Sequence, residues 1–148
     1  MKRLFGAAVL CLFASVATAQ NDYARVSKVT RSFADVKESL VAAIENRGLV
    51  INTTSHVGEM LERTGKDVGS SRRIYKDAEI IEFCSAKTSR SVMEPDPKAI
   101  TLCPYSISIY TLPEQADVVY VAYRKFPNNP GVKAAADLVA AIVKEAIK

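Results

Sequence analysis

Residues 100-112, ITLCPYSISIYTL, fall into strict alternation from Tyr105 onward. Tyr105, Ile107 and Ile109 share one side, and Ser106, Ser108 and Tyr110 share the other. A period of two sends successive side chains to opposite faces, so this is a strand with one dry face and one wet or interfacial face. The strand is read from Ile100. A second β-rich run, VVYVAYRKF at 118-126, follows PEQAD at 113-117, which reads as a turn. The two runs are therefore expected to pair as a hairpin. A hairpin is marginal on its own, so the dry face requires more strands and a cover.

The rest of the chain supplies both. YARVSKVTR (23-31), LVINTTSH (49-56) and AEIIEFC (78-84) read as three further strands. Between the first two lies RSFADVKESLVAAIENRGL. Ser32 is placed to cap a helix there, with Asp35 three residues on as an acidic capping-box partner. Phe33, Val36, Leu40 and Ile44 would share one face. Gly48 suits a left-handed terminator, with Leu49 as the apolar clasp behind it. Residues 58-64 read as a short helix stopped by Gly65, and 66-76 as a polar loop. Residues 86-94 form a short helix ended by Pro95 and Pro97. After PNNPG, residues 132-148 close the chain as a helix that presents Val132, Ala135, Val139, Ile142 and Ala146 to the core. The expected fold class is α+β: a mostly antiparallel sheet of about five strands with two longer helices on one face.

The first residues carry a different signal. MKRLFGAAVLCLFASVATAQ has a basic start at Lys2 and Arg3, a short apolar run, and the small-x-small triplet Ala17-Thr18-Ala19. This is the pattern of a secretory signal cut before Gln20. The apolar run is short for a membrane span, and Cys11 lacks the setting of a lipoprotein signal. Residues 1-19 are thus expected to be a signal peptide and 20-148 a single α+β domain, periplasmic or secreted, with no membrane anchor. Removing Lys2 and Arg3 lowers the basic count from 20 to 18, against 16 acidic residues. The charges are interspersed and no basic stripe carries aromatics, so no nucleic-acid partner is expected.

Arg47-Gly48-Leu49 ends the first helix and leads into a strand closed by His56. An apolar strand then reaches a tight corner, a short helix, and a strand that opens with a proline. Over most of residues 23-126 this layout resembles the domain-of-unknown-function 302 family. The resemblance implies a TBP-like α+β fold and self-association, and no defined reaction. The chain departs from the family pattern in three places. Phe83-Cys84-Ser85-Ala86 stands where Phe-Gly-Asn-Pro is common, Cys103-Pro104 where Leu-Pro is common, and Ser55 precedes the histidine in place of an Asp. It reads as an exported branch with a cysteine at each of two corners.

Loss of Cys11 with the signal leaves Cys84 and Cys103, an even count in an oxidising compartment. If the third and fourth strands are antiparallel, these residues meet at one corner within disulfide reach. Closing the 18-residue loop between them would contribute on the order of 3 kcal/mol. Two other readings stand beside the staple. Cys84 at a helix N-terminus is a candidate low-pKa redox thiol. His56, Cys84 and Cys103 together are a soft ligand set for copper or zinc, although from separated segments. Otherwise no cofactor is expected.

Candidate ligand-binding residues are His56, Tyr105, Tyr110 and Tyr120. A tyrosine on a half-wet face can bury its ring and still offer a hydrogen bond. The partner would be a small molecule or a protein, including a second copy of the chain. Conventional catalysis has little support: there is a single histidine, no phosphate loop and no dinucleotide fingerprint. Glu79 and Glu82 are three positions apart on the strand and should face opposite ways. Two functions remain in view. One is a non-enzymatic binding or accessory module stapled by a disulfide; the other is a thiol-based redox or metal protein.

Overall fold

A computed structural model describes residues 23-148, so the expected signal peptide lies outside the described residues. Five strands form one sheet: β1 (Ala24–Thr30), β2 (Val50–Ser55), β3 (Asp77–Cys84), β4 (Tyr105–Leu112) and β5 (Gln115–Arg124). Their order is β1-β5-β4-β3-β2, with every neighbouring pair antiparallel. Four α-helices accompany them: α1 (Phe33–Glu45), α2 (Val57–Thr64), α3 (Ala86–Met93) and α4 (Lys133–Ala146). This is the α+β class expected from the alternation and the two amphipathic helices.

Local signals explain the two long helices. The Ser32 side chain accepts from the Asp35 backbone N–H at 3.1 Å, which satisfies one of the orphan donors of α1. Gly48 has φ +69, the left-handed conformation that favours glycine, and Leu49 packs back on the core. Val36, Leu40, Ala43 and Ile44 from α1 meet Ala135, Val139, Ile142 and Val143 from α4. Both helices lie over the face of the sheet that carries Ile81, Phe83, Ile107, Ile109, Val119 and Val121, all of them fully buried. Arg31 ties the layers together, donating to the Ala146 carbonyl, the Asp35 carbonyl and Ser39 Oγ.

Two boundaries differ from the sequence reading. Residues 100-102 are not strand but the end of a 3-10 helix over Pro97–Leu102. Pro97 starts it with φ already restricted, and the Asp96 side chain caps it by accepting from the Lys98 N–H. These local bonds outcompete the apolar, strand-like composition. The turn is also shorter than 113-117. Only Pro113 and Glu114 turn, and β5 starts at Gln115. Within the polar stretch 66-76, a short 3-10 turn over Lys66–Val68 ends at Gly69, with φ +74.

Candidate functional site

The sheet has a covered face and an open one. Strand register assigns the open face without ambiguity. Lys28, Tyr120, Tyr110 and Ala78 form one row across β1, β5, β4 and β3. Val26, Ala122, Ser108 and Ile80 form the next. Glu82 pairs with Ser106, and one step beyond the Ile107–Tyr123 pair Ser106 comes level with Arg124. Neither long helix covers these residues. All of these open-face residues except Lys28 and Tyr120, which stand beside it on the same face, line an open trough of about 320 Å³, bounded at its margins by Tyr23, Val57 and Tyr75.

One end of the trough is aromatic. The Tyr110 and Tyr120 rings are stacked, with centroids 4.9 Å apart and planes at 7°. Lys28 Nζ stands 5.0 Å from the Tyr120 centroid, and Tyr75 meets Tyr110 edge-on at 5.3 Å. Offset stacking, edge contact and a cation over the ring all suit the aromatic quadrupole. This packing explains why Tyr120 is only 7% exposed on a face with no helix above it. Its hydroxyl donates to Gln115 Oε1. Burial, then the neighbouring phenols of Tyr75, Tyr120 and Tyr23, push the Tyr110 hydroxyl pKa up.

The other end of the trough is polar. Ser106 and Ser108 provide hydroxyls on the floor, and Glu82 and Arg124 flank Ser106. Among the described residues neither Glu82 nor Arg124 has an ion-pair partner or a side-chain hydrogen bond. Glu79 and Glu82 do take opposite faces, as their spacing requires.

The cysteine corner lies just beyond this polar end. Cys84 is the last residue of β3, and Cys103 ends the 3-10 helix two residues before β4. Their Sγ atoms are 3.0 Å apart, closer than an ordinary non-bonded sulfur contact and longer than the ~2.05 Å of a disulfide. The Cys103-Pro104 peptide is cis. Ser89 Oγ lies 3.9 Å from Cys103 Sγ and 3.5 Å from the Tyr105 hydroxyl. Ser85, next to Cys84, caps α3 by accepting from the Thr88 N–H. Burial first, then the Cys103 thiol and the Glu82 carboxylate, push the Cys84 pKa up to about 11. Desolvation and neighbouring negative charge both favour the protonated thiol, which is the opposite direction from a low-pKa redox thiol.

His56 stands elsewhere. It follows β2 at the far end of the ladder, where Ser55 pairs with Ile80, whereas Cys84 pairs with Val50. It stands six positions beyond Val50, which puts it ~20 Å from the cysteine corner along the strand. Its Nδ1 is 3.4 Å from Glu79 Oε1. Lys37 Nζ donates to the same oxygen at 2.9 Å and lies 2.7 Å from Oε2. The histidine is thus part of a Lys37–Glu79–His56 cluster joining α1, β3 and α2. The proposed copper or zinc set of His56, Cys84 and Cys103 is not assembled, and no group of three His, Cys, Asp or Glu side chains among the described residues is placed to hold a metal. Gly58 explains how closely α2 approaches β3: a Cβ there would stand 2.9 Å from the Ala78 nitrogen.

Of the four candidate ligand-binding residues, Tyr110 and Tyr120 meet on the open face. Tyr105 does not. It is 1% exposed on the covered face, against Phe83 and Phe126, and so cannot contact a ligand in the trough. Its alternation with Ile107 and Ile109 already carried that information. Tyr75 was hidden in a polar loop with no periodicity. Glu82, Ser106 and Arg124 become neighbours only through the β3–β4–β5 register.

No curated protein matches the chain. A solved structure described as "Crystal structure of uncharacterized conserved protein DUF302 from Bacillus stearothermophilus" is similar over 85% of this chain and 98% of that chain. Its TM-score is 0.66 at 15% sequence identity, a likeness of fold. The model of the family "Domain of unknown function DUF302" matches residues 25–148, and with the α+β sheet just described the chain belongs to that family.

Proposed function

We propose that the protein is an exported, non-enzymatic binding module that takes its ligand on the open face of the sheet and is stapled by a Cys84–Cys103 disulfide. The open trough carries the reading. A sheet face without helices normally presents alternating polar residues to water. This one instead combines Val26, Ala122 and Ile80 with stacked tyrosines, serine hydroxyls and two unpaired charges. Apolar lining with a few convergent polar groups is the general character of a small-molecule site, and about 320 Å³ is at the lower end of the usual range of ~300–1,000 Å³.

Support for the staple is the 3.0 Å sulfur separation together with the signal-like first nineteen residues. The high pKa of Cys84 argues against a thiolate nucleophile at neutral pH. The distance from His56 argues against a metal site shared with the cysteines.

Two measurements test the reading. Intact mass of the exported protein before and after reductant should differ by two protons, and alkylation should label Cys84 and Cys103 only after reduction. Free thiols in the exported protein would remove the staple. Amide chemical shifts recorded against a set of small molecules should move at Ile80, Ser106, Ser108 and Ala122. Shifts confined to the Lys37–Glu79–His56 cluster would relocate the site and overturn the trough.

A further inference from the structure

The polar end of the trough points to the class of ligand. We infer, resting on the open-face reading above, that the trough takes a zwitterionic α-amino acid with an apolar or aromatic side chain.

Glu82 and Arg124 stand on β3 and β5, with Ser106 of β4 between them. Two strand spacings separate their backbones by ~9.6 Å. Both line the trough, yet they do not pair with each other or with any described residue. Opposite charges on one surface, with an unfilled gap and a hydroxyl between them, are complementary to a ligand carrying both signs close together. An α-amino acid holds its ammonium and carboxylate on one carbon. Its carboxylate would accept from the Arg124 guanidinium, which suits planar bidentate recognition. Its ammonium would donate to Glu82, and to Ser106 as a further acceptor. The side chain would then run along Val26, Ala122 and Ile80 toward Tyr110 and Tyr75. A purely anionic ligand would leave Glu82 facing like charge, and a purely cationic one would do the same to Arg124. Charge complementarity therefore selects the zwitterion over both.

The test uses amide chemical-shift titration of the oxidised mature protein with three probes of the same apolar body: L-phenylalanine, phenylpropionate and phenethylamine. L-phenylalanine should shift Ile80, Glu82, Ser106, Ser108 and Arg124, and bind at least about tenfold tighter than either single-charge analogue. Arg124→Met should bring its affinity down to that of phenethylamine, and Glu82→Gln down to that of phenylpropionate. Arg124 is exposed and Glu82→Gln is isosteric, so both variants should keep the fold, which an unchanged spectrum away from the trough verifies. Equal binding of the three probes in the trough overturns the zwitterion and leaves the binding site standing. Failure of all three, while other small molecules still shift the same amides, has the same meaning. Shifts of the trough amides that depend on protein concentration alone assign the face to a second copy of the chain and overturn both readings.

Discussion

The two faces of this one sheet are built from the same strands and have opposite characters. On the covered face, Phe83, Ile81, Tyr105, Ile107, Ile109, Val119 and Val121 are essentially inaccessible beneath α1 and α4. On the open face, one residue away along each strand, stand Val26 at 51% exposure, two serines, a stacked tyrosine pair, Glu82 and Arg124. The covered face is closed by helices and holds the fold together. The open face has no long helix over it and is closed largely by its own side chains, as when Tyr110 and Lys28 shield Tyr120, with α2 and Tyr75 at its margin. Stability and recognition are therefore separated by the two-residue period of the strand, and a substitution can address one with little effect on the other.

The largest effects should come from the covered face. Leu40→Ala or Ile107→Ala removes a fully buried side chain between helix and sheet, and each should lower unfolding free energy by ~2–5 kcal/mol in urea denaturation. Ser108→Ala, on the other side of β4, should change it by no more than ~0.5 kcal/mol. Equal losses at positions 107 and 108 would erase the distinction between faces. Reduction of the proposed staple comes next. Dithiothreitol should remove about 3 kcal/mol, read as a fall in Tm that Cys84→Ser/Cys103→Ser reproduces and that reductant does not deepen. Lys28→Met should have a smaller effect, about 0.5–1 kcal/mol for a cation over an exposed-face ring. A loss as large as that of Leu40→Ala would mean that the open face is structural.

A further prediction sharpens the comparison at the corner where the faces meet. In the reduced protein the Cys84 pKa is raised from 9.0 to about 11. The folded state therefore holds the proton more tightly than the unfolded chain. The contribution to stability is full below about pH 9 and is lost as pH rises toward about 11. The reduced protein should lose stability across that window by an amount that the Cys84→Ser variant does not share. Alkylation of Cys84 should stay slow until the same window. Rapid alkylation at pH 7 would restore the low-pKa reading.

Much of this was legible in the sequence where the cause is local. Ser32 caps α1 and Gly48 ends it because capping and a positive φ are decided within one turn. The burial of Ala135, Val139, Ile142 and Ala146 follows from helical periodicity, whereas Val132, read as part of the same helix, is buried from the 3-10 turn Pro130–Val132 that precedes α4. Tyr105 fell on the dry face by the same logic, and only its phenol made it a ligand candidate. Misread segments involved competing local signals. At 97-102 a proline and an aspartate cap formed a 3-10 helix out of residues with strand-like composition. His56 was grouped with the cysteines on ligand chemistry, but an extended strand keeps its two ends apart however suitable their side chains are.

By itself the sequence determined which residues share a face, where the long helices begin and end, and the α+β class, because alternation, capping and amphipathicity act over a few residues. Only the tertiary structure decided that residues 84 and 103 would bring their sulfurs to 3.0 Å, and that Glu82 and Arg124 would flank Ser106 unpaired. Those relations join residues tens of positions apart. They are set by strand order and register, which the packing of the whole core selects and no short window contains.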